Sequence, residues 1–262
     1  MEKDKGHDMD YKTLMDVAIL AGKIMLESNA ETYRVEDTMN HILKTSKFET
    51  TEDFAIATGL VATLDDPSIE DPITIVKRIN SRDTNLNKIA NVNTISRQLT
   101  SKEIKLSEAY EALQKIGGEQ YKQLYKDFAI SALAASFALL LGGGIFEIIA
   151  AGINGGFLAL VLKGEKKLDM GPFVRNVLSS AVISVVAGLM QAFVFSTLSI
   201  NLVIIGTIMP LVPGTAITNA IRDTLQGDYM SGGAKALEAF VIALSIALGV
   251  AIGLILIGGA IF

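Results

Sequence analysis

Two prolines and a glycine interrupt an apolar segment in the last quarter of the chain. Pro210, Pro213 and Gly214 lie within residues 208–223, Ile-Met-Pro-Leu-Val-Pro-Gly-Thr-Ala-Ile-Thr-Asn-Ala-Ile-Arg-Asp. Proline removes a backbone donor and leaves a carbonyl group without its helical partner. In lipid, such backbone is tolerated only where it is buried in protein or lines a wet cavity. The segment therefore predicts a broken membrane helix, whose half-helix ends can bind a charged ligand.

Polar side chains follow this break at helical spacing. Thr215, Thr218 and Asn219 stand at i, i+3 and i+4, and Arg222 continues the row at i+7, beside Asp223. The stripe predicts hydrogen bonds to a carboxylate-bearing substrate, with a gate near Arg222. Two other interpretations remain open. The threonines are equally typical of contacts between helices, and the Arg-Asp pair is typical of an anchor at the membrane interface.

One more acidic residue joins the candidate set. Glu147 is the only carboxylate in the first apolar hairpin, where it would carry a coupling proton unless it is simply exposed at an outer turn, which is the favoured interpretation. The predicted substrate-binding residues are Pro213, Gly214, Thr215, Thr218, Asn219, Arg222, Asp223 and Glu147.

Composition argues against several classes of function. The chain has no cysteine and only His7 and His41, so a metal site is not expected. It has no Walker A loop, Gly-x-Ser-x-Gly elbow or His-Glu-x-x-His motif, so we expect no enzyme and no cofactor. A net charge of −5 without a basic run argues against nucleic acid. Glu31 and Glu36 keep open an alternative, a membrane-anchored hydrolase-like enzyme, although a solvated helix face explains them equally well.

Charge divides the chain into two parts. Residues 1–126 hold 17 of the 23 basic and 21 of the 28 acidic residues. Helical periodicity around a β-rich stretch, residues 54–64 and 73–79, predicts an α+β domain with a small antiparallel sheet of about three strands over 1–126. Residues 127–262 are apolar enough for a transmembrane domain. The predicted fold class is thus an α-helical membrane protein of about five spans preceded by a cytoplasmic α+β domain.

The five predicted spans follow from the thickness of a bilayer, which needs roughly 20 apolar residues per helix. They cover residues 128–143, 146–162, 176–196, 202–221 and 236–260. All basic residues between them, for example Lys163, Arg175 and Lys235, fall on one side. By the positive-inside rule, and because no secretory signal begins the chain, we expect the N-terminus in the cytoplasm and the C-terminus outside the plasma (inner) membrane.

Two stretches resemble the threonine/serine exporter family. The first is residues 21–39, Ala-Gly-Lys-Ile-Met-Leu-Glu-Ser-Asn-Ala-Glu-Thr-Tyr-Arg-Val-Glu-Asp-Thr-Met, and the second runs from Val-Pro-Gly-Thr at 212–215 through Asn-Ala-Ile-Arg-Asp at 219–223 to Ser-Gly at 231–232. The resemblance covers essentially the whole chain. It implies a proton-motive-force-dependent exporter with a soluble domain followed by spans. Asn29 stands where the family more often has glycine, and Asn is the next best residue for a left-handed helix cap.

The same resemblance predicts partners. Full-length members carry a second set of spans, so the chain resembles the long subunit of the split form, which works with a separate short membrane subunit, and a homo-oligomer is also open. Split members are associated with succinate as well as amino-acid export. The expected partners are therefore the lipid bilayer, a small-molecule substrate and that subunit. A regulatory or scaffold subunit remains a further alternative, in which the polar stripe would contact protein rather than a cavity.

Overall fold

The computed structural model describes residues 11–117, 121–168, 170–194 and 197–261. His7, and residues 195–196 at the end of the third predicted span, lie outside them. Contacts divide the chain into two compact units. The first unit consists of Met1–Gly118 and Thr215–Ala236, and the second of Glu119–Gly214 and Leu237–Phe262. The predicted domain boundary after residue 126 stays a prediction.

The first unit is an α+β fold. Its complete elements are α1 (Tyr11–Glu27), α2 (Thr32–Leu43), β1 (Thr50–Ile56), β2 (Gly59–Asp65), β3 (Ile73–Arg78), α3 (Leu86–Thr100) and α4 (Leu106–Lys115). The strands form one antiparallel sheet in the order β1-β2-β3. Phe54 pairs with Val61, which pairs with Val76. The small three-stranded sheet predicted from the apolar stretches is confirmed.

The core of the first unit is built around α1. Its residues are buried on nearly every side, from Leu14 to Leu26, because α2, α3, α4 and the sheet all pack against it. Gly22 allows the close approach of α2, since a Cβ there would lie 2.3 Å from Met39 Sδ. A helix enclosed in this way can hold the turn that follows it, Ser28–Thr32, in one place.

The regular elements among the described residues of the second unit are all helices. The unit contains α5 (Gln123–Leu140), α6 (Ile145–Leu168), α7 (Pro172–Phe193) and α8 (Ile200–Ile208), followed by a 3₁₀ turn at Met209–Leu211. The glycine run after α5 forms a turn, where Gly142 has φ 84° and donates to Leu139 O. Glycines also bring helices together. A Cβ on Gly249 would lie 2.3 Å from Val177 O, and one on Gly206 would lie 2.9 Å from Ala134 O. Such contacts are typical of helices packed in membranes.

The last two helices are α9 (Gly214–Leu225) and α10 (Tyr229–Ile261). Thr215–Ala236, which holds most of α9 and the beginning of α10, belongs to the first unit. Gly227 ends α9 with φ 92°, and Asp228 N then donates to Asp223 O at 2.8 Å. Gly232 lets α10 fold back against α9, because a Cβ there would lie 2.3 Å from Thr224 Oγ1.

Three described helices are long and apolar enough to cross a membrane: Ile145–Gly164, Pro172–Phe193 and Tyr229–Gly259. A fourth candidate is the bent pair Ile200–Leu211 and Gly214–Leu225, if the pair forms one span. α5 does not meet the same test and carries Lys126 and Asp127 in its first two turns. The structure thus supports three or four candidate spans, and the predicted total of five stays a prediction.

The helix boundaries differ from the predicted spans at one important place. The fifth span was expected from residue 236, but α10 begins at Tyr229. Its first turns carry Ser231 and Lys235 as fully buried residues. Hydropathy could not reveal these turns, because a helical segment that buries polar residues has no apolar signature.

Candidate functional site

The turn between α1 and α2 places the first group of functional atoms. Asn29 ends α1 in the left-handed conformation with φ 62°. Ala30 N donates to Met25 O and Asn29 N donates to Leu26 O, each at 3.0 Å, which together form a Schellman motif. The left-handed cap predicted at Asn29 is confirmed. The motif directs the carbonyl groups of Asn29 and Ala30 toward α9 and α10, where both accept hydrogen bonds.

α9 turns a small and polar face into the first unit. Its buried residues are Ala216, Asn219, Ala220 and Asp223, which recur at helical spacing. The alanines allow close packing, and the two polar residues find partners in the α1–α2 turn. Asn219 Nδ2 donates to Asn29 O at 2.7 Å. The polar stripe read from the sequence is therefore partly a surface buried against protein.

Asp223 caps helix α2 from a distant part of the chain. Its carboxylate is fully buried. Oδ1 accepts from Thr32 N at 3.0 Å, and Oδ2 accepts from Thr32 Oγ1 at 3.1 Å. Thr32 is the first residue of α2, whose own N-cap, Glu31, supplies no side-chain cap. A carboxylate at this position satisfies a free amide and interacts favourably with the helix dipole.

Lys235 balances the charge of Asp223. Its side chain is 1% exposed. The Nζ atom donates to Asp223 Oδ2 at 2.7 Å and to Ala30 O at 3.1 Å. A buried ion pair is maintained only when its remaining donors and acceptors are also bonded. Here Thr32 and Ala30 supply those bonds, so three chain segments meet at one pair of charges.

A second ion pair lies beside the first and is more open. Glu31 is 6% exposed and accepts from Arg222 Nη1 and, at 3.3 Å, from Arg34 Nη1. Burial acts to raise the pKa of Glu31. Its backbone hydrogen bond, the hydrogen bond from Arg222 and the charges of both arginines outweigh burial and hold that pKa below its usual value. The Arg222 side chain is 55% exposed, so its guanidinium can still reach solvent.

Two further carboxyl groups near this network are shifted in the opposite direction. Glu36 Oε1 accepts from Ala55 N at 2.8 Å. Burial, followed by the negative charges of Asp228, Asp53 and Asp223, raises the pKa of Glu36. Burial and the charge of Asp223 likewise raise the pKa of Asp228. The surroundings thus lower the pKa of Glu31 and raise the pKa of Glu36 and Asp228.

The predicted site residues are distributed over both units. Asn219, Arg222 and Asp223 come together in the network, and Thr215 Oγ1 lies 3.0 Å from Thr84 Oγ1 on the same unit. Thr218 is exposed. The other three predicted residues, Pro213, Gly214 and Glu147, belong to the second unit. There, Gly214 N donates to Val212 O, and Glu147 Oε1 accepts from Ser199 N at 3.0 Å.

Sequence reasoning missed Thr32, Ala30 and Lys235. A signal existed for Thr32, because Glu is a poor N-cap residue and helix α2 therefore needs an acceptor from elsewhere. No comparable signal marked Ala30, which contributes only its carbonyl oxygen. Within the part of the chain that the structure describes, no group of three or more His, Cys, Asp or Glu residues could hold a metal ion.

Comparison with known proteins agrees with this arrangement of motifs. Residues 16–257 match the family described as "Putative threonine/serine exporter". The chain is 22% identical over 255 residues to a protein named "Probable threonine/serine exporter" from Mycobacterium tuberculosis. That alignment covers 94% of this chain and 47% of the relative, so the chain spans about half the length of the curated relative it matches. No solved structure matches.

The family match includes both halves of the buried network, the α1–α2 turn and the α9–α10 hairpin, together with the apolar helices of the second unit. The chain therefore belongs to the threonine/serine exporter family, a family of membrane transport proteins.

Proposed function

We propose that this protein is a subunit of a secondary exporter of small carboxylate-bearing metabolites, such as threonine and serine or a dicarboxylate such as succinate. The observation that carries the proposal is the pairing of exposed Arg222 with the buried carboxylate of Glu31. Arginine binds carboxylates through a planar fork of donors. Glu31 thus occupies the position that a substrate carboxylate would take on Arg222.

In this mechanism, Arg222 changes partner during transport. A substrate carboxylate displaces Glu31 from the guanidinium, while Arg34 retains Glu31 on α2. Asp223 and Lys235 remain paired and hold α9 against the α1–α2 turn. Thr215, Thr218 and the backbone at Pro213 and Gly214 supply further hydrogen bonds to the substrate.

The proposed coupling ion is the proton. Glu36 and Asp228 are two carboxyl groups of the first unit whose pKa is raised and whose charges act on this network, so they are the candidate proton carriers there. Their protonation removes negative charge beside Asp223. Glu147 is another candidate carrier, the interpretation that the sequence left open beside simple exposure at an outer turn. The proposal also places the N-terminal domain in the cytoplasm, the C-terminus outside, and a short membrane subunit or a second copy as partner.

A specific observation favours a second candidate, a regulatory or scaffold subunit. That alternative predicts that the polar stripe contacts protein, and Asn219, Arg222 and Asp223 do contact the α1–α2 turn. In that case Arg222 and Glu31 would serve only to dock α9. The two candidates therefore differ in what the Arg222–Glu31 pair does.

Efflux of labelled threonine, serine and succinate tests both candidate functions. Cells express the chain alone or with the short membrane subunit, and membrane content is matched by immunoblot. We expect efflux that is abolished by dissipating the proton gradient. Pro213→Ala and Arg222→Gln should abolish it, and Glu31→Gln should retain it. Arg34→Gln is the matched control, because it removes the other arginine from Glu31, and it should also retain efflux.

A charge exchange separates recognition from docking. The double variant Glu31→Arg with Arg222→Glu restores an ion pair but removes the cation from α9. If Arg222 recognises substrate, this variant stays inactive. Recovery of efflux by the exchange, or equal losses in Glu31→Gln and Arg222→Gln, would assign the pair to docking. Normal efflux in both Pro213→Ala and Arg222→Gln would remove the proposed transport path.

A further inference from the structure

The first unit contains a cavity of about 600 Å³ that shares no residue with the buried network. Its apolar lining comes from Leu14, Leu99, Ile104 and Leu106. Leu14 and Leu99 belong to the buried core of the unit, so the apolar surface continues inward from the opening. Cavities of about 300–1,000 Å³ with an apolar lining and a few polar groups are typical of small-molecule sites.

The remaining lining is strongly one-sided in charge. Lys44, Lys47, Lys102 and His41 line the cavity, and no Asp or Glu among residues 11–117 does. All four are exposed, so they lie toward its solvent side. Within the described residues, none of the three lysines takes part in an ion pair. His41 Nδ1 is 2.8 Å from Asp37 O, so Nδ1 carries a hydrogen and Nε2 remains for other contacts.

Two of these lysines occupy unfavourable backbone positions. Lys47 has φ 60° and Lys102 has φ 63°, both in the left-handed region. Lys102 follows α3 in a Schellman motif, with Lys102 N donating to Leu99 O at 3.0 Å and Glu103 N donating to Gln98 O at 2.8 Å. Glycine is the usual residue there, as at Gly227 after α9. Residues kept in such conformations often have a functional reason.

We infer that this cavity binds an amphiphilic phosphate, that is, a phosphate monoester carried on an apolar chain. The leucines and Ile104 receive the chain, and the lysines surround the phosphate. Lysine is a common phosphate ligand, and a dianionic headgroup matches several ammonium groups better than a single carboxylate does. Such a ligand is either a lipid with a phosphate monoester headgroup or a free alkyl phosphate.

Binding of decyl phosphate to the full chain in phosphatidylcholine nanodiscs tests the inference. Titration calorimetry, corrected with empty discs, should show saturable binding with a stoichiometry near one. Decanol lacks the charge and inorganic phosphate lacks the chain, so each should bind at least about tenfold more weakly. Equal binding of decanol would show that the lysines contribute nothing and would overturn the proposal.

Two double variants that change the net charge equally identify the site. Lys44→Ala with Lys102→Gly should weaken binding by about a hundredfold or more, because each charge-assisted hydrogen bond contributes about tenfold or more in affinity. Lys77→Ala with Lys115→Ala removes two exposed lysines that do not line the cavity, and binding should be unchanged. Similar affinities in both double variants, or no saturable binding to the wild type, would refute the site.

Lys102→Gly separates the site from the fold. Glycine adopts the left-handed conformation without strain, so the melting temperature should stay equal or rise while binding weakens. A loss of binding accompanied by a lower melting temperature in this variant would count against a dedicated site.

Nanodiscs that contain phosphatidic acid then distinguish a lipid ligand from a free alkyl phosphate. Competition with decyl phosphate indicates a lipid ligand, and its absence indicates a free amphiphile. Ligand binding and melting temperature are both measured without efflux, so the outcome is independent of the exporter proposal.

Discussion

The two units bury their polar groups in different ways. In the second unit, the described buried polar side chains are neutral. Several bond to backbone, as Asn154 Nδ2 does with Ile183 O at 3.0 Å and Thr207 Oγ1 with Val203 O at 2.7 Å. In the first unit, Asp223 and Lys235 are charged and bond to residues about 190 to 205 positions away. Neutral bonds of the first kind are sufficient to pack helices in lipid. Charged bonds between distant segments require a complete set of partners, so they define one arrangement of the α1–α2 turn against α9 and α10.

The largest expected effect follows from removing one member of the buried pair. Lys235→Met leaves the carboxylate of Asp223 buried without its cation, which should lower the free energy of unfolding by about 3–5 kcal/mol. Asn154→Leu in the second unit removes one neutral hydrogen bond and should cost about 1–3 kcal/mol. Thermal unfolding of both variants in nanodiscs measures the difference. An equal or smaller loss for Lys235→Met would mean that the ion pair does not hold the first unit together.

A double-mutant cycle sharpens the same comparison. Asp223→Asn combined with Lys235→Met removes both charges, so the loss should be smaller than the sum of the single losses, by about 0.5–3 kcal/mol. Strict additivity would show that Asp223 and Lys235 act independently, for example through their separate bonds to Thr32 and Ala30.

A smaller effect is expected at the glycines that let helices pack closely within each unit. A Cβ on Gly249 would lie 2.3 Å from Val177 O and 2.8 Å from Ser180 Cβ, so the backbone must move. Gly249→Ala should therefore cost about 1–3 kcal/mol. At Gly22 in the first unit, the nearest atoms belong to the flexible end of Met39. Gly22→Ala should cost less than Gly249→Ala, because Met39 can change rotamer and alanine is the better helix former.

Urea unfolding of the two alanine variants in the same nanodiscs checks this order. A larger loss at Gly22 would show that the contact of α1 with α2 is less adaptable than the contacts of the apolar helices.

Much of the fold could be predicted from local patterns, and the network could not. The three-stranded sheet follows from alternating apolar residues, and the end of α1 follows from Asn29, because both depend on neighbours in sequence. The polar face of α9 was also visible. What it faces was not, since Asn29 and Ala30 accept through carbonyl oxygens that any residue type would offer. Lys235 looked like a topology marker because a single lysine gives no sign of its burial.

The smallest expected effect tests whether Asn29 acts only through its backbone. Asn29→Gly keeps the left-handed cap and the carbonyl oxygen that accepts from Asn219, and it loses only an exposed hydrogen bond to Thr84. Unfolding free energy should change by less than about 0.5 kcal/mol, as at ordinary surface positions, whereas Asn29→Ala should cost about 1–2 kcal/mol because alanine resists this conformation. Chemical unfolding compares the two. A large loss in Asn29→Gly would mean that the Asn29 side chain, and not the shape of the turn, positions the partners of α9.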